Sequence, residues 1–160
     1  MNRNDEHVKF MRRAIALAKE GIDKSAGGPF GALVVRNGRI IAEGYNQVTS
    51  ANDPTAHAEI VAIRKACEVL RSFQLDDCIL YASCEPCPMC LGAIYWARPK
   101  AVYFACTRHD AADIDFDDCL IYDELEKEIG QRSIPFISLL RDEGISVFAE
   151  WKKRTDLIRY

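Results

Sequence analysis

The chain has 160 residues, 49% of them hydrophobic, enough for one compact domain with a proper core and too many for a disordered segment. Lys and Arg number 21 and Asp and Glu 24, a formal net charge of −3, which argues against a domain whose main partner is a phosphate backbone. The amino-terminal Met1–His7 is polar, unlike a signal peptide, and no apolar run nears the ~18 residues of a membrane span, so a soluble cytoplasmic protein with no membrane partner is expected.

Met11, Ala14, Ile15, Ala18 and Ile22 recur at helical spacing and predict a helix over 7–22, ended by Gly27-Gly28-Pro29. Ala32–Val35 and Ile40–Ala42 flank Asn37-Gly38, the strongest short hairpin signal, and predict an antiparallel pair. Asp53 as N-cap and Pro54 as first helical residue predict a second helix from there to about Leu70. Cys78–Ala82 reads as a buried strand. Pro86 opens a third helix that carries Cys87, Cys90, Leu91, Ile94 and Tyr95 until Pro99 stops it, and Ala101–Ala105 is another buried strand. A short helix over 119–128, a strand over 134–140 and a last helix over 143–155 complete the order. The expectation is a single α/β domain over 1–160: three layers, α/β/α, around a mixed five-stranded sheet whose first pair is antiparallel and whose later strands are parallel.

Seven cysteines cannot all pair internally, and without a secretion signal their clustering suggests free thiols and a metal site. His57-Ala58-Glu59 stands at the start of the second helix, and Pro86-Cys87-Pro88-Met89-Cys90 at the start of the third. A His-x-Glu followed by a Pro-Cys-x-x-Cys is the signature of zinc nucleobase deaminases. Cys87 and Cys90 can chelate one ion at a helix start, where the helix dipole favours thiolates, and His57 makes a third ligand. Three ligands leave the fourth tetrahedral position of a zinc ion to water, whose pKa would fall to about 7. Glu59 is then the candidate to carry protons from water to substrate. Two blander readings compete: Cys84 could close the site as a structural Cys₃His zinc, and Cys-x-x-Cys alone could be a redox pair.

With these motifs in view, the chain resembles the cytidine-deaminase superfamily, and within it the small zinc-dependent bacterial guanine deaminases. The likeness is carried by Gly27–Ala32, Asn52–Glu59, Ser83–Arg98, Phe116-Asp117-Asp118 and the terminal Tyr160. It implies a cytidine-deaminase-like fold, one zinc per subunit on His57, Cys87 and Cys90, and Glu59 as proton shuttle. It implies that Asp118 faces the departing amine, that Asn46 hydrogen-bonds the purine and that Phe30 packs on its face. Trp96 and the partner subunit's Tyr160 would line and close the pocket of a homodimer that exchanges carboxyl-terminal segments. Read without the resemblance, Phe30 and Trp96 are core or interface aromatics, Asn46 is a polar residue after a strand, Asp118 belongs to an acidic stretch or caps a helix, and Tyr160 is a loose terminus.

Two departures stand out: Asp115 precedes Phe116 where such proteins usually carry glycine, and Cys106-Thr107-Arg108-His109 is atypical for the loop before it. The reaction implied is hydrolytic deamination of guanine to xanthine and ammonia, a small-molecule purine chemistry. Rival readings are a guanosine deaminase, a tRNA adenosine deaminase and a zinc-stabilised interaction module. For the RNA reading only Lys152, Lys153, Arg154 and Arg159 offer a basic cluster, and a solvated helix end explains them as well.

Overall fold

The computed structural model describes residues 3–160; Met1 and Asn2, the start of the polar amino-terminal segment, lie outside the described residues. In chain order the elements are α1 (Arg3–Asp23), β1 (Gly31–Arg36), β2 (Arg39–Tyr45), α2 (Val48–Ala51), α3 (Ala58–Leu70), β3 (Cys78–Cys84), α4 (Pro88–Ala97), β4 (Ala101–Cys106), α5 (Arg108–Ala112), α6 (Cys119–Glu126), a 3₁₀ turn (Ile129–Gln131) and α7 (Arg141–Lys153). The chain divides into two compact units, one running to Tyr122 and the other Asp123–Tyr160. Among the described residues no helix is long and apolar enough to cross a membrane.

The Asn37-Gly38 hairpin forms as expected. Asn37 and Gly38 take φ of +51° and +72°, the left-handed pair that a two-residue type I′ turn needs, and glycine tolerates its share at little cost. β1 pairs antiparallel with β2 and with β3, and β3 pairs parallel with β4, giving the order β2-β1-β3-β4. Alternation along the strands divides the core. Val34, Leu80 and Ala82 face Ala58, Ala62 and Ala66 of α3 and Ile94 of α4. Leu33, Val35 and Tyr81 face Phe10, Ala14 and Leu17 of α1 on the other side. The first unit is therefore the predicted α/β/α arrangement. In α1 the buried face includes Phe10 and Leu17, while Ile15 and Ile22 of the predicted stripe are exposed.

Three predicted boundaries change. The sheet has four strands, not five: residues 132–140 form no strand. Pro135 has no amide hydrogen to give a ladder, and the unit Asp123–Tyr160 holds no other strand among its described residues to pair with this segment. The second helix starts at Ala58 rather than at Asp53-Pro54, because the Asp53 carboxylate accepts from the Thr55 amide at 2.8 Å and its hydroxyl at 2.7 Å, making a turn where a helix start is expected. The third helix opens at Pro88 rather than Pro86, with Cys87 as its N-cap. It ends before Pro99 on a left-handed Arg98.

Gly44 of β2 lets α3 come close to the sheet. A Cβ there would lie 2.6 Å from the Ala58 carbonyl oxygen and 2.9 Å from the Ala62 amide nitrogen, so only glycine fits this approach. The start of α3 is thereby seated directly on the sheet, next to the end of β3.

Candidate active site

The sequence motifs converge because two helices begin side by side. His57 is the N-cap of α3 and Cys87 the N-cap of α4, both with extended backbone, and Cys90 lies one turn into α4, buried. The His57 Nδ1 is 3.5 Å from the Cys87 Sγ and 3.6 Å from the Cys90 Sγ. One imidazole nitrogen has at most one proton to donate, so near-equal distances to two sulfurs match donors arranged around a shared cation. Tetrahedral zinc, with Zn–S near 2.3 Å and Zn–N near 2.0–2.1 Å, sets that N···S separation at about 3.6 Å. The three donor atoms lie within 4.8 Å of one another, and theirs is the only such group of three or more among the described residues. The donor set therefore fits a divalent metal.

The electrostatics agree with the geometry. A hydrogen bond from Cys90, and a further one with His57, draw the Cys87 thiol down to about 4 against the effect of burial. The same Cys87–Cys90 bond, with burial, pushes Cys90 up. Two thiols held this close do not both ionise unless a cation lies between them. His57 is held above its ordinary value, first by its bond to Cys87. Cys84 is not in the cluster: its Sγ donates to the Thr107 carbonyl at 3.4 Å, and burial lifts the thiol to about 11. A closed Cys₃His site is thereby disfavoured, since the Cys84 thiol is engaged elsewhere and stays protonated.

Glu59, in the first turn of α3, is 7% exposed, and burial raises its pKa above the usual carboxylate value. It lines a cavity of about 310 Å³ together with His57, Cys87, Phe30, Arg108 and Asp118. Burial, then the nearby Cys87, raises Asp118. The Cys119 amide donates to Asp117 at 2.9 Å, which lowers that carboxyl. A second cavity of about 630 Å³ adjoins it, sharing Phe30, His57 and Phe116 and lined also by Asn46. Phe30 and Phe116 meet edge to face, ring centroids 5.0 Å apart.

The structure gathers His57, Glu59, Cys87, Phe30 and Asp118 around one cavity and places Asn46 on the adjoining one. Asn46 is 4% exposed, and its Oδ1 accepts from the amides of Gly28 at 3.2 Å and Val48 at 3.1 Å. Trp96 stands on α4, 64% exposed, outside both linings. Tyr160 belongs to the unit Asp123–Tyr160, where its side chain is exposed. Sequence reasoning missed Ser83, whose Oγ accepts from the Gly31 amide at 2.9 Å beneath the cavity. It also missed Glu85, which accepts from the Arg108 amide at 3.0 Å. Neither contact has a short-range signal, since the partners lie 52 and 23 positions away.

Residues 4–106 match the cytidine and deoxycytidylate deaminase zinc-binding region, and the chain belongs to that family of zinc-binding deaminases. Within it, the chain is 60% identical over 146 residues to the guanine deaminase of Bacillus subtilis (strain 168), covering 91% of this chain and 94% of the relative. The X-ray structure of guanine deaminase from Bacillus subtilis superposes with a TM-score of 0.93 at 56% identity, covering 100% of this chain and 99% of that one. The tRNA-specific adenosine deaminase of Aquifex aeolicus is 41% identical over 96 residues, 60% of this chain and 63% of the relative. The likeness to the solved guanine deaminase spans both units and fixes the α/β cytidine-deaminase-like fold.

Proposed function

We propose that this chain is a guanine aminohydrolase, adding water to C2 of guanine and releasing its amino group as ammonia, with xanthine as the other product. The observation that carries the reading is the 60% identity to a guanine deaminase over 91% of the chain, where the tRNA-specific adenosine deaminase of Haemophilus influenzae, matching over 88% of the chain, is 34% identical. The cavity supports a purine-sized substrate, apolar on its Phe30 side and acidic at Glu59 and Asp118.

His57, Cys87 and Cys90 would hold one zinc ion per subunit. Zinc bound there supplies a Lewis acid that makes water a nucleophile at neutral pH. Glu59 takes a proton from the attacking water as the new C2–O bond forms and passes it to a ring nitrogen; it then takes the remaining hydroxyl proton and gives it to the amine as the C2–N bond breaks and C2–O becomes a carbonyl. Its burial suits both directions, because a carboxyl with raised proton affinity can hold what it later returns. Asp118 receives the N–H groups of the departing amine. Phe30 packs on the purine face and Asn46 hydrogen-bonds its edge, with Trp96 and the partner subunit's Tyr160 closing the pocket.

That last role requires a homodimer with exchanged carboxyl-terminal segments, the whole chain acting as one deaminase domain. The unit Asp123–Tyr160 supports it: Phe136, Ile137, Leu139, Phe148 and Tyr160 are all exposed, and that unit itself holds no strand for the apolar segment around Ile137 to pair with. A unit of this size cannot hold together with its apolar side chains in water.

Ammonia release by the zinc-loaded protein with guanine, guanosine, adenine and cytosine side by side tests the activity. Release from guanine alone is expected; release from guanosine alone, or from none of them, overturns the proposal. Glu59→Gln should keep zinc and lose turnover by roughly 10²–10⁴-fold, and a variant with near-normal turnover removes Glu59 from the mechanism.

A further inference from the structure

The loop 106–109 remains outside the mechanism, yet one of its residues reaches the cavity. Glu59, Glu85, Asp115, Asp117 and Asp118 line it, and Arg108 brings the only guanidinium or ammonium group among the lining residues. An arginine kept there for stability would be expected to bridge one of five carboxylates. Among the described residues none of them forms an ion pair with it. The guanidinium lies instead over the Tyr122 ring, 4.5 Å from its centroid.

The rest of the residue is held in place. Glu85 Oε2 accepts from its amide at 3.0 Å, and a capping box between Thr107 and Asp110 closes α5 around it. A guanidinium over a ring, with the Tyr122 side chain taking one of its five N–H donors, still has others to give, and it cannot shed its charge. Such a donor fan matches a pair of acceptors in one plane. The 6-oxo group and N7 of a purine are such a pair, the edge that arginine reads bidentately on guanine in nucleic acids.

We infer that Arg108 is a specificity-determining residue that binds the 6-oxo/N7 edge of the substrate, so that the cavity selects 6-oxopurines. The inference rests on the guanine deaminase reading and deepens it. A purine with an amine at position 6 would set donor against donor and forfeit the contact.

Calorimetric titration of hypoxanthine and of unsubstituted purine, which differ at position 6, reads this contact without turnover. It is made on the zinc-loaded full-length protein, on Arg108→Gln and on Arg108→Lys, with zinc content and far-ultraviolet circular dichroism confirming intact variants. The wild type should bind hypoxanthine about 10- to 100-fold more tightly than purine. Arg108→Gln should remove most of that advantage and leave purine binding unchanged, and Arg108→Lys should restore part of it. With guanine, Arg108→Gln should raise KM and leave kcat near its original value. Equal weakening of both ligands, or an undiminished advantage for hypoxanthine in Arg108→Gln, overturns the inference while leaving the activity standing. A wild type that releases no ammonia from guanine overturns the underlying reading, and the inference falls with it.

Discussion

Replacing Gly44 with alanine should damage the site from a distance. The new Cβ would stand 2.6 Å from the Ala58 carbonyl oxygen, 2.9 Å from the Ala62 amide nitrogen and 3.1 Å from the Val61 Cβ. Two of these are backbone atoms of α3, so no change of rotamer clears them. Ordinary contact begins near 3.5 Å, so the first turn of α3 must retreat by roughly 1 Å. That turn carries Glu59 and follows directly on His57. Overpacking of this kind costs about 1–3 kcal/mol, lowering the unfolding midpoint by roughly 2–4 °C per kcal/mol in a chain of this size. A displacement near 1 Å at a reacting group costs on the order of 10²-fold in turnover. Gly92→Ala is the control: a Cβ there meets nothing within 4 Å, and alanine in a helix interior should stabilise by about 0.5–1 kcal/mol. Thermal unfolding and ammonia release, measured on both variants, test the reasoning. A Gly44→Ala protein with the original midpoint and turnover would show that the contact between β2 and α3 does not position His57 and Glu59.

Zinc content, measured by atomic absorption, should fall sharply in His57→Ala, Cys87→Ser and Cys90→Ser and stay unchanged in Cys84→Ser; loss in the last variant would revive the closed four-ligand site. Glu43 holds Arg13 in a two-pronged ion pair, Nε to Oε1 and Nη2 to Oε2 both at 2.7 Å, and the pair holds the Glu43 carboxyl below 4.5. Its stabilisation is therefore present above pH 4.5 and lost as the pH falls through the lowered value, so wild type and Glu43→Gln should differ by about 0.5–1 kcal/mol at neutral pH and converge in acid. Chemical denaturation across that range checks it, and a gap that widens in acid would contradict the assignment. Tyr81→Phe removes the hydroxyl that meets His7 Nδ1 at 2.6 Å on the α1 side of the sheet, and should cost about 1 kcal/mol in urea unfolding while sparing turnover.

What the sequence discloses is mostly local. Asn37-Gly38 announces its hairpin because the turn conformation is set by those two residues, and His57, Cys87 and Cys90 announce a metal site because ligand spacing at helix starts is itself a short-range property. Helix starts failed where two signals compete: Asp53 can cap a helix or bend a turn, and its bonds to Thr55 chose the turn. The apolar run around Ile137 has the composition of a buried strand, but a strand exists only where another strand offers hydrogen bonds. The Arg108 contact to Glu85 and the seat of Gly31 on Ser83 depend on parts of the chain that meet only after folding.

A cation shared by His57, Cys87 and Cys90 would fasten the start of α3 to the start of α4, across thirty positions of the chain. It would then act as a reversible cross-link as well as a reagent. At a hundredfold excess of free metal over its dissociation constant, such binding adds about 2.7 kcal/mol to the folded state, comparable to a disulfide closing a loop of about that length. Metal shortage would then weaken the protein as an object before it limits the reaction, and its abundance in a cell would follow metal supply through unfolding and proteolysis.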